Sequence, residues 1–84
     1  NAVAPMHDLS QYIIEQAHER GIHDIELDVE HDNGTTEYRG CVLRGNIEYD
    51  FTVVERNDIN SEAKYLRRIA DDHLDILVER LPDE

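Results

Sequence analysis

The run Asp24-Ile25-Glu26-Leu27-Asp28-Val29-Glu30 alternates strictly between acidic and apolar residues. Successive side chains of a β-strand point to opposite faces, so this pattern is typical of a strand with one face in a core and the other in water. We predict a strand over His23–His31 whose solvent face carries Asp24, Glu26, Asp28 and Glu30. The remainder of the chain has to bury the opposite face of this strand.

Two dipeptides that favour tight turns, Asn33-Gly34 and Gly45-Asn46, separate this run from two further ones. They predict strands over Glu37–Arg44 and Ile47–Glu55. If each loop has two residues, apolar side chains share one face in both hairpins. The resulting pairs are Ile25 with Val42, Leu27 with Gly40, Val29 with Tyr38, Val42 with Tyr49, Gly40 with Phe51, and Tyr38 with Val53. A slip of one residue would break this agreement, so the sequence predicts an antiparallel meander.

Apolar residues at helical spacing predict one helix on each side of the meander. The first covers about Leu9–Arg20, with Asp8 at a start that resembles a capping box and Gly21 at its end. The second covers about Asn60–Leu81, with Asn60 as N-cap. Its apolar stripe consists of Ala63, Leu66, Ile69, Ala70, Leu74, Leu77 and Leu81. With both helices on the apolar sheet face, we predict a two-layer α+β fold in the order α-β-β-β-α.

Length and cysteine content predict a single domain in a reducing compartment. Residues 1–5 precede Met6 and are interpreted as a tag remnant, which leaves residues 6–84 as the domain. Cys41 is the single cysteine and cannot form an internal disulfide, which favours the cytoplasm. No run is long and apolar enough to span a bilayer, and no secretory signal is recognised.

The formal net charge of −12, from 20 acidic residues against 8 Lys and Arg, restricts the partners. Nucleic acids and anionic membranes bind cationic surfaces, so we expect neither as a direct partner. Three interpretations remain: a protein with a basic partner, a mimic of nucleic-acid charge, or a protein adapted to high salt. The eight isoleucines and seven leucines indicate an ordinary core and weaken the last of these, whereas the single lysine, Lys64, beside seven arginines favours it.

The predicted registers place seven carboxylates and one arginine together on the outer sheet face. We expect Arg39 to pair with Asp28 opposite it, and Leu43, Cys41 and Val54 to form a central apolar patch. The predicted partner-binding residues are Asp24, Glu26, Asp28, Glu30, Glu37, Glu48, Asp50, Leu43 and Val54. The alternative is a face that is merely solvated, as in many antiparallel sheets.

No residue pattern indicates catalysis or a cofactor. The five histidines lack the spacing of a helical metal-binding pair, and one cysteine cannot form a thiolate site. His73 is interpreted as a packing residue on the long helix. Glu26 and Asp50 beside Cys41 would raise the pKa of its thiol, which disfavours a nucleophile. We therefore expect no enzyme, no metal and no cofactor.

The order of elements, with Ser61-Glu62-Ala63-Lys64 at the start of the last helix, resembles the double-stranded-RNA-binding domain. That family needs a lysine cluster at this helix start, where this chain has only Lys64, Arg67 and Arg68, so RNA binding is not carried over. In size, acidity and element order the chain also resembles small phage-encoded inhibitors, namely acidic anti-CRISPR proteins and uracil-DNA glycosylase inhibitors. This resemblance implies a carboxylate array that occupies the nucleic-acid site of a host protein, and assigns no role to single residues.

The sequence thus favours a non-enzymatic interaction protein, of phage or mobile-element type, that binds the basic nucleic-acid site of a partner protein. The alternative is a small homodimeric or accessory domain that uses the outer face or the long helix as its interface. In that case the acidity would serve solubility or salt adaptation.

Overall fold

The computed structural model describes residues 8–56 and 62–82. Its elements are α1 (Ser10–Glu19), β1 (Glu26–Asp32), β2 (Thr35–Arg44), β3 (Ile47–Arg56) and α2 (Ala63–Arg80). The strands form one antiparallel sheet in the order β1-β2-β3. α1 packs over β1, α2 packs over β3, and the two helices pack against each other on the same side of the sheet. The predicted α+β meander is confirmed.

Two tight turns fix the strand register. Asn33 and Gly34 both have positive φ, 47° and 82°, and Gly45 has φ 63°. These angles match the turns whose twist suits a two-residue hairpin loop. The strand ladder pairs Leu27 with Gly40 and Gly40 with Phe51, as predicted. β1 begins at Glu26, so Asp24 and Ile25 precede the strand.

The C-terminus of α1 is closed by two backbone hydrogen bonds around Gly21, which has φ 84°. The N–H of Ile22 donates to the carbonyl of Ala17 at 2.8 Å, and the N–H of Gly21 donates to that of His18 at 3.0 Å. This pair of bonds is a Schellman motif, and the buried Ile22 and Ala17 supply its apolar contact. At the other end, Asp8 Oδ1 accepts the N–H of Ser10 at 3.0 Å, but the N-cap of α1 is Leu9, which makes no side-chain capping hydrogen bond, so the predicted capping box is not formed.

The core lies between the inner sheet face and the two helices. Its buried members are Leu9, Ile13, Ala17, Ile22, Tyr38, Val42, Phe51, Val53, Leu66, Ala70, Leu74 and Leu77. Within this core the ring of Phe51 lies directly over Gly40, where an added Cβ would come within 2.6 Å of two ring carbons. The His73 ring of α2 stacks on the Phe51 ring with their centroids 5.7 Å apart, as expected for a packing histidine.

The sequence pattern missed one polar pair in this core. Glu55 continues the inward-facing series of β3 and is 1% exposed, and its Oε1 accepts the Tyr38 hydroxyl at 3.0 Å. Burial raises the pKa of Tyr38, and the carboxylate of Glu55 raises it further. A buried carboxyl group costs free energy unless it is hydrogen-bonded, so Tyr38 and Glu55 stabilise each other's burial.

The stripe of α2 is narrower than predicted. Leu66, Ala70, Leu74 and Leu77 are buried, whereas Ile69 is 45% exposed. Ile69 was expected to face the core, but it lies on the flank of the helix because the buried residues centre nearer Ala70. Asn60, the predicted N-cap, falls outside the described residues.

The contact between Gly40 and Phe51 predicts an unusually sensitive glycine. Gly40→Ala should lower the free energy of unfolding by about 1–3 kcal/mol, because the new methyl group overlaps the Phe51 ring. Urea denaturation followed by circular dichroism measures this loss. In a Phe51→Leu background the same substitution should cost less, because the shorter side chain leaves room. Equal costs in both backgrounds would show that the ring is not responsible.

Candidate functional site

The outer sheet face carries the residues that the sequence predicted to bind a partner. β1 contributes Glu26, Asp28 and Glu30, β2 contributes Glu37, Arg39, Cys41 and Leu43, and β3 contributes Glu48, Asp50, Thr52 and Val54. Cys41 is half-buried and every other member of this set is exposed. Both helices lie on the opposite face, so no described element covers these side chains.

The arginine of this face does not pair as expected. Arg39 lies opposite Asp28 in the ladder, but its Nη2 donates to Asp50 Oδ2 at 2.9 Å and lies 3.5 Å from Glu48 Oε1. A long side chain in an antiparallel sheet can reach the diagonal neighbour as well as the direct one. The hydrogen bond to Asp50 raises the pKa of Arg39. The predicted pair with Asp28 is therefore wrong, and the charge of Arg39 is shared by the carboxylates of β3.

Asp24 is set apart from the other carboxylates because it precedes β1 and is held by an arginine. Arg44 binds it with two parallel hydrogen bonds, Nε to Oδ2 and Nη2 to Oδ1, each 3.0 Å long. The hydrogen bond from Arg44 lowers the pKa of Asp24. This fork connects the segment before β1 to the end of β2.

Four carboxylates of the outer face are not neutralised by a cationic side chain of the described residues. Glu26, Asp28, Glu30 and Glu37 have no ion-pair partner within residues 8–56 and 62–82. Glu30 lies directly opposite Glu37, and such a like-charge pair destabilises the sheet locally. The negative charge of the face is therefore concentrated on β1 and the beginning of β2.

The apolar residues of this face are separated. Leu43 is 61% exposed and lies opposite Glu48 near one turn, whereas Val54 is 46% exposed and lies opposite Glu37 at the other end. The six-residue offset along β2 corresponds to about 20 Å. The predicted central apolar patch is therefore wrong: the two side chains lie at opposite ends of the acidic face.

Two open hollows occupy the middle of the face. One, of about 370 Å³, is lined by Asp28, Glu30, Glu37, Arg39, Asp50 and Thr52. The other, of about 470 Å³, is lined by Glu26, Leu27, Asp28, Arg39, Cys41 and Glu48. Asp28 and Arg39 belong to both. The hollows are shallow and polar, which suits cationic side chains of a partner better than an apolar ligand.

The nucleophile and metal hypotheses find no support on this face. Burial raises the pKa of the Cys41 thiol, and Glu48, Asp50 and Glu26 raise it further, so the reactive thiolate is disfavoured. In the described part of the chain, no three side chains of His, Cys, Asp or Glu come together as metal ligands would. His18 and His23 pack ring to ring at 5.1 Å, and His31 Nδ1 lies 3.1 Å from Thr36 Oγ1.

Comparisons with protein families, curated proteins and solved structures each give no significant match for this chain. Neither described helix has the length and apolarity that crossing a bilayer requires. The properties of the surface itself therefore have to carry any functional argument.

The fork between Asp24 and Arg44 can be tested by titration. An NMR titration should place the pKa of the Asp24 carboxyl below its ordinary value of 3.8, and Arg44→Gln should raise it back towards that value. Because the pKa is lowered by folding, this carboxylate stabilises the fold above pH 3.8 and loses that effect as the pH falls through the folded-state pKa. Asp24 is about half exposed, so the contribution should be at most about 1 kcal/mol.

The matched control is Arg39→Gln, which removes an arginine that lies on the acidic face and does not bind Asp24. The pKa of Asp24 should stay low in this variant. An unchanged pKa in Arg44→Gln would contradict the fork.

Proposed function

We propose that the protein binds the basic nucleic-acid site of a partner protein through its outer sheet face, as an inhibitor or nucleic-acid mimic of the kind encoded by phages and mobile elements. The observation that carries this proposal is the group of exposed carboxylates without ion-pair partners in the described chain, Glu26, Asp28, Glu30 and Glu37. A face that served solvation alone would mix both charge signs.

The charge density of the face supports a mimic. The positions from Asp24 to Glu30 extend over roughly 20 Å, and the carboxylates of β2 and β3 lie beside them. Seven carboxylates less the two arginines that bind three of them leave five negative charges over this length, about one per 4 Å, which is comparable to the one charge per 3.4 Å along a single nucleic-acid strand. A partner's groove whose Lys and Arg side chains bind phosphates would therefore meet a comparable density of negative charge on this face.

The ion pairs formed within the chain indicate which part of the outer face would bind a partner. Arg39 offsets Glu48 and Asp50, and Arg44 offsets Asp24, so those three carboxylates are partly neutralised within the chain. Glu26, Asp28, Glu30 and Glu37 are available to cationic side chains without first breaking an internal ion pair. Leu43 and Val54 at the two ends would supply apolar contacts at the borders of the interface.

A charge reversal on β1 tests the proposal. In the variant Glu26→Lys with Glu30→Lys, affinity for the captured partner should fall at least about tenfold, because like charges then meet in the interface. The fold should persist, since Glu30→Lys replaces a like-charge pair with Glu37 by an attractive one. The assay is capture from a nuclease-treated host lysate, followed by titration of the purified partner with the protein and with duplex DNA as competitor.

The matched control is Glu15→Lys with Glu79→Lys, which changes the net charge equally at exposed positions of the two helices. This control should bind as the unchanged protein does, and binding should weaken with salt because exposed charges are screened. Equal losses of affinity in both variants would show that the net charge of the protein determines binding, and that the position of the carboxylates on β1 does not. A partner that binds duplex DNA and this protein simultaneously would contradict occupation of its nucleic-acid site.

A further inference from the structure

The two edges of the sheet differ in their protection against pairing with another strand. β1 has seven residues and an outer face of carboxylates, which is a common way to keep an edge from pairing. β3 has ten residues and pairs continuously with β2, and its outer face combines Glu48, Asp50 and Arg56 with the uncharged Thr52 and Val54. It contains no proline, and its uninterrupted ladder contains no bulge. Within the described residues, β3 is therefore the edge better suited to accept a further strand.

An exposed apolar flank of α2 accompanies this edge. Tyr65, Ile69 and Ile76 are 55%, 45% and 54% exposed. At 3.6 residues per turn they project within about 40° of one another. The opposite flank of α2 contacts α1, where Asp71 and Asp75 bind Arg20. Ile76 shares a hollow of about 220 Å³ with Phe51 and Asp50 of β3, so this flank borders the β3 edge.

From these features we infer that two copies of this chain associate through β3 and the adjoining flank of α2. The two β3 strands pair antiparallel about a two-fold axis, and the sheets join into one of six strands. A two-fold interface has to be complementary to itself, because each residue meets its counterpart position in the other copy.

The sequence of β3 meets this condition in a register with Thr52 opposite Thr52. Asp50 then faces Val54, and Glu48 faces Arg56, so no carboxylate on the outer face lies directly opposite another. Pairing two β1 strands would place carboxylates opposite carboxylates in every register that keeps the outer faces together, because all outer positions of β1 are acidic. Charge complementarity thus selects the second copy at β3.

The helices add an apolar layer to the same interface. Both copies of α2 lie on the inner side of the joined sheet, so the two flanks with Tyr65, Ile69 and Ile76 face each other across the axis. Their contact removes from water apolar side chains that are exposed in the single chain. Each copy carries a net charge of −12, so long-range repulsion opposes association and salt should tighten it.

The experiment measures the mass of the full chain by sedimentation equilibrium and light scattering over a series of concentrations. The expected result is a reversible dimer, twice the chain mass of 9.8 kDa, that tightens between low salt and about 1 M NaCl. Ile76→Glu should raise the dissociation constant at least about tenfold. The matched control Val78→Glu changes a 41% exposed residue of the same helix, outside the flank, and should leave the dissociation constant unchanged.

A second variant tests the strand register without touching the helix. Thr52→Asp places two carboxylates opposite each other at the axis and should weaken the dimer, while circular dichroism confirms the monomer fold at this exposed position. A monomer at every concentration and both salt levels would overturn the inference, as would a dimer that Ile76→Glu and Thr52→Asp leave intact. The salt response separates this interface from the proposed partner surface, because partner binding should weaken with salt.

Discussion

The register of the three strands is the constraint on which every other feature depends. Two two-residue turns set it, and the contact of the Phe51 ring with Gly40 matches it at the centre of the sheet. Side chains on a strand alternate with a period of two, so a shift of one residue would move the carboxylates of β1 into the core. The acidic face exists because the turns and the core packing agree on the same register.

Repulsion between the carboxylates of the outer face destabilises the fold, and it is stronger in some parts of the face than in others. Arg39 and Arg44 relieve the carboxylates near β3 and before β1, whereas Glu30 and Glu37 face each other directly. A sequence selected for stability alone would carry Lys or Arg at one of these two positions. Substitutions at exposed charged positions change stability little, so either charge sign is easily acquired there. The uncompensated part of the face is therefore the part in which a partner's cations would stabilise the protein most.

The fold was predictable because periodicity and turn chemistry act over short stretches of sequence. The alternation on β1, the turns at Asn33-Gly34 and Gly45-Asn46 and the helical spacing of Leu66, Ala70 and Leu74 all specify local structure. Pairing between side chains was less predictable, since Arg39 can reach both its direct and its diagonal neighbours. Glu55 could have been found, because it continues the inward positions of β3, although acidic side chains are rarely buried unless they are paired.

The hydrogen bond between Tyr12 and Asp71 joins residues 59 positions apart, whereas both hairpins pair residues that are close in sequence. The entropic cost of closing a loop grows with its length, and non-local contacts form late for that reason. We therefore expect the meander to form first and the helices to dock on it together. The ion pairs of Arg20 with Asp71 and Asp75 then join α1 to α2 across the longest loop of the described chain, so separating the two helices would reopen that loop.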